Sequence, residues 1–257
     1  MILNISHYNQ KHSIKDLFLA LFKKLKLATP YNNFIYKNIN GSILHYFHTK
    51  LVKLNFFKTY FDYYIHKYTI EMFSYITDLY VDSTMIANKY GIDLADYNIQ
   101  LKKHKTSKIS IVVDSFNFPI DINFNSSREH DSTICIEHLD NIARNLPHLC
   151  KSNINLVADA AYDSNRIRNK LKETNIGILV CDKNNRNTKD HIKLENNKKI
   201  NLHHKMLLKN RSKIEHLNNT IKQNKTINVR YDKIGANYMG YVLMAISKIA
   251  FGKAGVI

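Results

Sequence analysis

Residues 108–125 read "KISIVVDSFNFPIDINFN", and the interpretation of this stretch settles the class of the fold. Two β-branched, apolar-rich runs, 108–114 and 119–125, flank the turn-like "SFN", which predicts a β-hairpin. Working outward, "DLYVDST" (78–84) contains a short apolar run ending in Asp82, and "INLVADAAYD" (154–163) a buried strand ending at Asp159. "IGILVC" (176–181) reads as another buried strand. Amphipathic helices are predicted over "STICIEHLDNIARNL" (132–146) and "SNRIRNKLKETN" (164–175). A polar loop (182–199) leads to a helix that holds Glu215, and "NYMGYVLMAISKIAF" (237–251) is a last apolar helix. Strand, hairpin, helix, strand, helix, strand, helix describes an α/β domain with a mixed sheet flanked by helices.

The preceding residues have a different texture. "SIKDLFLALFKKLKL" (13–27) sets Leu17, Leu21, Phe22 and Leu25 at helical spacing, and "GSILHYFHTKLVKLNFFKTYFDYYIHKY" (41–68) continues it after the connection "TPYNNFIYKNING". Residues 1–76 therefore read as a small all-helical region, and 77–257 as the α/β domain. The many Tyr and Phe residues of the helical region are read as core rather than as base-stacking surfaces.

The 257-residue chain is 44% hydrophobic and has only seven Gly and three Pro, so it has material for a sizeable core and no linker-rich character. Its three cysteines form no CxxC pair and are read as buried small hydrophobes in a reducing compartment. Neither a signal peptide nor a membrane span is expected, which suggests an intracellular protein. The formal charge of +17 is unevenly spread. Residues 1–77 carry ten basic and three acidic side chains, 182–233 carry fourteen and five, and 78–181 are balanced at twelve and thirteen. Basic flanks suit a polyanion, since each phosphate neutralised releases counterions.

Glu215 is the only acid between Glu195 and Asp232. On a helical wheel with Ile214 at zero, Leu217 and Ile221 fall at about −60° and −20°, and Arg211, Lys222 and Glu215 at about 60°, 80° and 100°. One face can anchor on a sheet while the three charged groups project from its edge. Asp82 and Asp159, at strand ends, are the other candidates. Carboxylates that converge repel one another, and a pair of divalent cations removes that penalty. Hard oxygen donors suit Mg²⁺ or Mn²⁺, and two such ions can promote phosphodiester displacement. Each acid also has a plainer reading: Asp82 as a turn cap, Asp159 as a helix cap, Glu215 as an i−4 partner of Arg211. Asp131 or Ser132, and separately Asp163, read as helix caps, and Asp232 as a turn or ion-pair residue. His203 and His204 lack a second ligand cluster at metal spacing.

Taken in order, "VDST", the hairpin, "SREHDS", "VADAAYDS", Arg211-x3-Glu215-x6-Lys222 and "VRYDKIGANYMGYVLMAI" resemble the DDE-type insertion-sequence transposases, in particular the insertion-sequence-five branch, over residues 42–252. The resemblance implies an RNase H-like catalytic domain at 77–257 with Asp82, Asp159 and Glu215 as its acidic triad. It implies Mg²⁺ (or Mn²⁺, two ions), hydrolysis at transposon ends and 3′-OH strand transfer into target DNA, with Arg211 and Lys222 as DNA-binding residues. Residues 1–76 would then be a DNA-binding region, and the protein a DNA-associated homo-oligomer, cytoplasmic in a prokaryote. A metal-dependent nuclease without strand transfer and a domesticated DNA-binding protein are the alternatives. The chain departs from the family pattern in having Leu208 where a Tyr begins the signature, Ala160 and Ala161 where Lys-Gly is common, and no Trp.

Overall fold

The computed structural model describes residues 12–98, 104–151, 154–181 and 202–253. The polar loop at 182–199 lies outside the described residues. The hairpin forms where the sequence predicts it, from β5 (His104–Asp114) and β6 (Pro119–Ser126), paired antiparallel with a bulge between Val112 and Val113. Its turn is organised by Asp114, whose carboxylate Oδ1 accepts hydrogen bonds from the backbone amides of Phe116 (2.9 Å) and Phe118 (2.7 Å). Asn117 takes a positive φ of 62°, a conformation that Asn tolerates better than most residues.

On the other side of β5 lies β3 (Asp78–Asn88), antiparallel to it from Leu79 opposite Asp114 to Ala87 opposite Thr106. β7 (Asn155–Ala158) runs parallel to β3, and β8 (Leu179–Cys181) parallel to β7. Short strands β4 (Asp96–Asn98) and β9 (Val229–Arg230) extend the edges of β5 and β3. The sheet path β4-β5-β3-β7-β8, with β6 also on β5, is a three-stranded antiparallel meander continued by parallel strands, the RNase H-like plan. A two-stranded ladder, β1 (Ile35–Tyr36) with β2 (Ile39–Asn40), occupies the N-terminal connection expected to be plain loop.

One expectation needs correction here. β3 does not end at Asp82 but continues six residues further, because β5 pairs with it as far as Ala87 and β9 pairs with Ala87 and Asn88. Asp82 is thus held by a ladder on both sides of it along the strand.

Helices cover both faces. Ser83 pairs opposite Ser110 in the β3–β5 register. Ser110 Oγ lies 2.9 Å from His138 on α4 (Asp131–Asn145), so α4 covers the face of odd-numbered Ser83. Asp82, one residue earlier, points to the opposite face, where it meets the later helix Ser212–Lys222. The helices of the N-terminal region, α1 (Ile14–Leu27), α2 (Gly41–Lys53) and α3 (Phe56–Glu71), follow from apolar residues at i, i+4 and i+8. Leu17, Leu21 and Leu25 are all buried, and Ser13 caps α1 through the Asp16 amide at 3.0 Å. The remaining elements are α5 (Asn165–Thr174), α6 (Leu202–Asn210), α7 (Ser212–Lys222), α8 (Lys225–Asn228) and α9 (Gly235–Lys253). α9 packs against α2 and α3, and one continuous set of buried apolar side chains runs from Leu17 to Ala250.

Two caps differ from the sequence reading. The N-cap of α4 is His130, and Asp131 instead pairs with the buried Lys108 at 2.9 Å. Ser164, not Asp163, caps α5, accepting from the Ile167 amide, while Asp163 pairs with Arg168. Arg230 is fully buried and directs its five N–H donors to Asp93 (side chain and carbonyl), Ser107 Oγ and the carbonyls of Asp232 and Lys233. A Cβ on Gly91 would stand 2.5 Å from the Arg230 Cζ, so only glycine fits there. Cys135 and Cys181 are buried, Cys150 is half-buried, and all three are free thiols.

Candidate active site

The parallel pairing of β3 and β7 brings the first two acids together. Tyr80 lies opposite Val157, and extending that register by two residues sets Asp82 beside Asp159, just past the last residue of β7. The distances in sequence are large, but strand pairing removes them. Asp159 Oδ1 accepts the Ala161 amide at 2.8 Å, so one oxygen caps the short 3-10 turn Ala160–Tyr162 and not, as its plainer reading expects, the helix after "AAYD", which Ser164 caps.

α7 delivers the rest. Ile214, Leu217 and Ile221 are buried, which fixes the helix rotation with its polar edge toward β3. Arg211 stands at the head of this helix. Its Nη2 donates to Glu215 Oε1 at 2.7 Å and its Nη1 lies 3.9 Å from Asp82 Oδ1. The wheel therefore placed Arg211 and Glu215 on one edge correctly, and Arg211 is the link between Glu215 and Asp82. Lys222, further along, is close enough for the Asp82 charge to favour its protonated form, although burial lowers its pKa overall.

Asp82 is mostly buried, and burial pushes its carboxyl up to about 6. The Arg211 charge, a Ser83 backbone hydrogen bond and an Asn218 side-chain hydrogen bond oppose that rise, while the neighbouring negative charge of Asp159 adds to it. Among the described residues, no group of three His, Cys, Asp or Glu side chains is arranged to hold a metal ion, and His203 and His204 join none. The donor chemistry of the Asp82–Asp159 pair nevertheless fits a hard divalent cation: two neighbouring carboxylate groups, one of them disfavoured as an anion by its surroundings. Glu215 stands one step removed, engaged by Arg211.

Asn218 was not anticipated. Its Nδ2 donates to Asp82 Oδ2 at 2.9 Å, from a side chain that is itself buried. On the wheel it falls at about 40°, between the apolar face and Arg211, and it shares the seven-residue spacing from Arg211 that keeps two residues on one helix edge. That position was the available signal, but a neutral amide in a basic helix does not attract notice as an isolated acid does.

The family model described as "Transposase DDE domain" matches residues 76–246. No curated protein matches the sequence. Similar solved structures include the Mos1 transposase paired-end complex with left transposon end, at 9% identity and a TM-score of 0.31, covering 65% of this chain and 61% of that one. Another is the piggyBac transposase synaptic complex with hairpin DNA, at 12% identity and 0.36, covering 70% and 48%. The catalytic domain of Mos1 mariner transposase aligns at 11% and 0.30, covering 77% and 91%. The present chain covers less than two thirds of the first two structures' own chains.

Proposed function

The chain belongs to the transposase DDE domain family, and on that premise we propose that it is a DNA transposase of the insertion-sequence-five branch, with Arg211, Glu215 and Lys222 as its signature. In this reading Asp82, Asp159 and Glu215 hold two Mg²⁺ or Mn²⁺ ions. The bound ions supply activation of the attacking oxygen and stabilisation of the leaving one in phosphodiester displacement.

The chain's own residues do the remainder. Glu215 has a side chain about half exposed (49%), so it can turn from Arg211 toward the aspartates without disturbing the core. That movement frees the Arg211 guanidinium for a phosphate oxygen, a partner it can grip with two parallel hydrogen bonds. Lys222 adds a second positive charge on the same helix, while Asp82 stays fixed by its pairing with β5 and Asp159 by its bond to the Ala161 amide. Residues 1–76 contribute DNA contacts beside the RNase H-like domain of 77–257, and the two basic flanks supply sequence-independent attraction. The substrate is double-stranded DNA, transposon ends first and target second, bound by a homo-oligomer. Among the described residues no helix is long and apolar enough to cross a membrane.

The observation that carries this reading is the parallel β3–β7 register that sets Asp82 beside Asp159 beneath the charged edge of α7. The test is incubation of the purified protein with Mg²⁺ or Mn²⁺ and duplexes carrying candidate transposon ends drawn from the DNA that flanks its gene. Joined products are expected. Cleavage without joining would identify a metal-dependent nuclease, and salt-sensitive binding without cutting would identify a protein that only binds DNA.

A further inference from the structure

Asp82 has two distinguishable oxygens. Oδ1 faces Arg211 at 3.9 Å, whereas Oδ2 receives the Asn218 amide at 2.9 Å. An amide can donate to a carboxylate only with its nitrogen forward, because the flipped form would set oxygen against oxygen. The orientation of Asn218 is therefore fixed by Asp82, and reciprocally the carboxylate plane is fixed by Asn218.

The rest of Asn218 shows what it is kept for. The residue is 5% exposed and sits between Leu217 and the polar edge of α7, yet its own Oδ1 has no hydrogen-bond partner among the described residues. An amide buried with half of its hydrogen-bonding capacity unused is a poor core residue, and Leu of similar shape would fill the space without that cost. The bond to Asp82 is the one contact that an apolar residue cannot reproduce.

We propose that Asn218 is a positioning residue: it anchors Oδ2 of Asp82 so that the remaining lone pairs of the carboxylate are presented toward Asp159 in a single orientation for a divalent cation. Residues that hold a ligating carboxylate in this way tune metal affinity by roughly 10–100-fold. The role depends on Asp82 being a metal ligand, as in the function proposed above.

The test measures Mn²⁺ binding to the full-length protein without DNA, by titration calorimetry or by the loss of free-ion electron paramagnetic resonance signal. The native protein is compared with Asn218→Leu, Asn218→Ala and Asp82→Asn. The expected result is Mn²⁺ affinity at least tenfold weaker in both Asn218 variants, with their metal-free unfolding transitions remaining cooperative, and a greater loss in Asp82→Asn. Should the leucine variant not fold, the alanine variant carries the comparison. Native-like Mn²⁺ affinity in a folded Asn218 variant, with affinity lost in Asp82→Asn, would overturn the positioning role and leave the metal site standing. Unchanged affinity in Asp82→Asn would overturn both.

Discussion

Arg211 donates to Glu215 one helical turn away, at 2.7 Å, while its other arm stands 3.9 Å from Asp82 on the neighbouring sheet. The pair is partly exposed, so its contribution to stability is small, about 0.3–0.5 kcal/mol. Its consequence for DNA is larger. Replacing Arg211 with Ala is expected to change urea-unfolding free energy by no more than about 0.5 kcal/mol. The slope of log binding constant against log salt for a DNA duplex should fall by about one. An unchanged slope would show that Arg211 meets no phosphate.

Lys108 and Asp131 make a different kind of pair. The Lys108 side chain is only 4% exposed, and besides Asp131 at 2.9 Å it donates to the Glu129 carbonyl at 2.6 Å. Asp131→Ala leaves a buried ammonium with one acceptor, and the expected cost is roughly 2–3 kcal/mol, below the full penalty for a buried pair because Asp131 is partly exposed. Lys108→Met combined with Asp131→Ala should recover much of that loss, since no buried charge is then left alone. Urea unfolding of the two variants makes the comparison, and equal losses would contradict the buried-charge account.

His48 is fully buried, stacked on Tyr241 with ring centroids 4.1 Å apart, and neither ring nitrogen has a hydrogen-bond partner among the described residues. Burial pushes its pKa down to about 3, and the charges of His45 and Lys24 act in the same direction. In the unfolded chain a histidine binds its proton near pH 6.5. Between about pH 6.5 and 3 the unfolded state therefore holds a proton that the folded state refuses, and stability falls as pH falls through that window. His48→Leu is expected to make the decline in unfolding free energy between pH 6.5 and 4.5 shallower. Parallel curves for the two proteins would place the acid sensitivity elsewhere.

The sheet was readable because its strands are written in β-branched runs. "KISIVVD" and "PIDINFN" became β5 and β6 within a few residues of their expected limits, and the apolar face of α7 followed from Ile214, Leu217 and Ile221 alone. Features that depend on distant partners were not readable. The extension of β3 through "STMIAN" relies on β5 and β9 rather than on its own mixed polarity. Asp131 looks like a cap until Lys108, twenty-three residues away, is found buried beneath it. Asn218 carries no charge to mark it, and only the fold brings it to Asp82. Local pattern thus gave the elements, and three-dimensional pairing decided what individual polar side chains do.

The most direct measurement is metal-dependent cutting of a duplex carrying candidate transposon ends, with native protein and with Asp159→Asn compared at one salt concentration. The substitution preserves shape, and because Asp159 is only half-buried and bonds the Ala161 amide through Oδ1, folding and DNA affinity should persist. The account predicts that cleavage in Mg²⁺ or Mn²⁺ disappears while DNA binding stays within about twofold of native, a change of roughly 0.4 kcal/mol. Cleavage at the native rate by the Asn variant would contradict it.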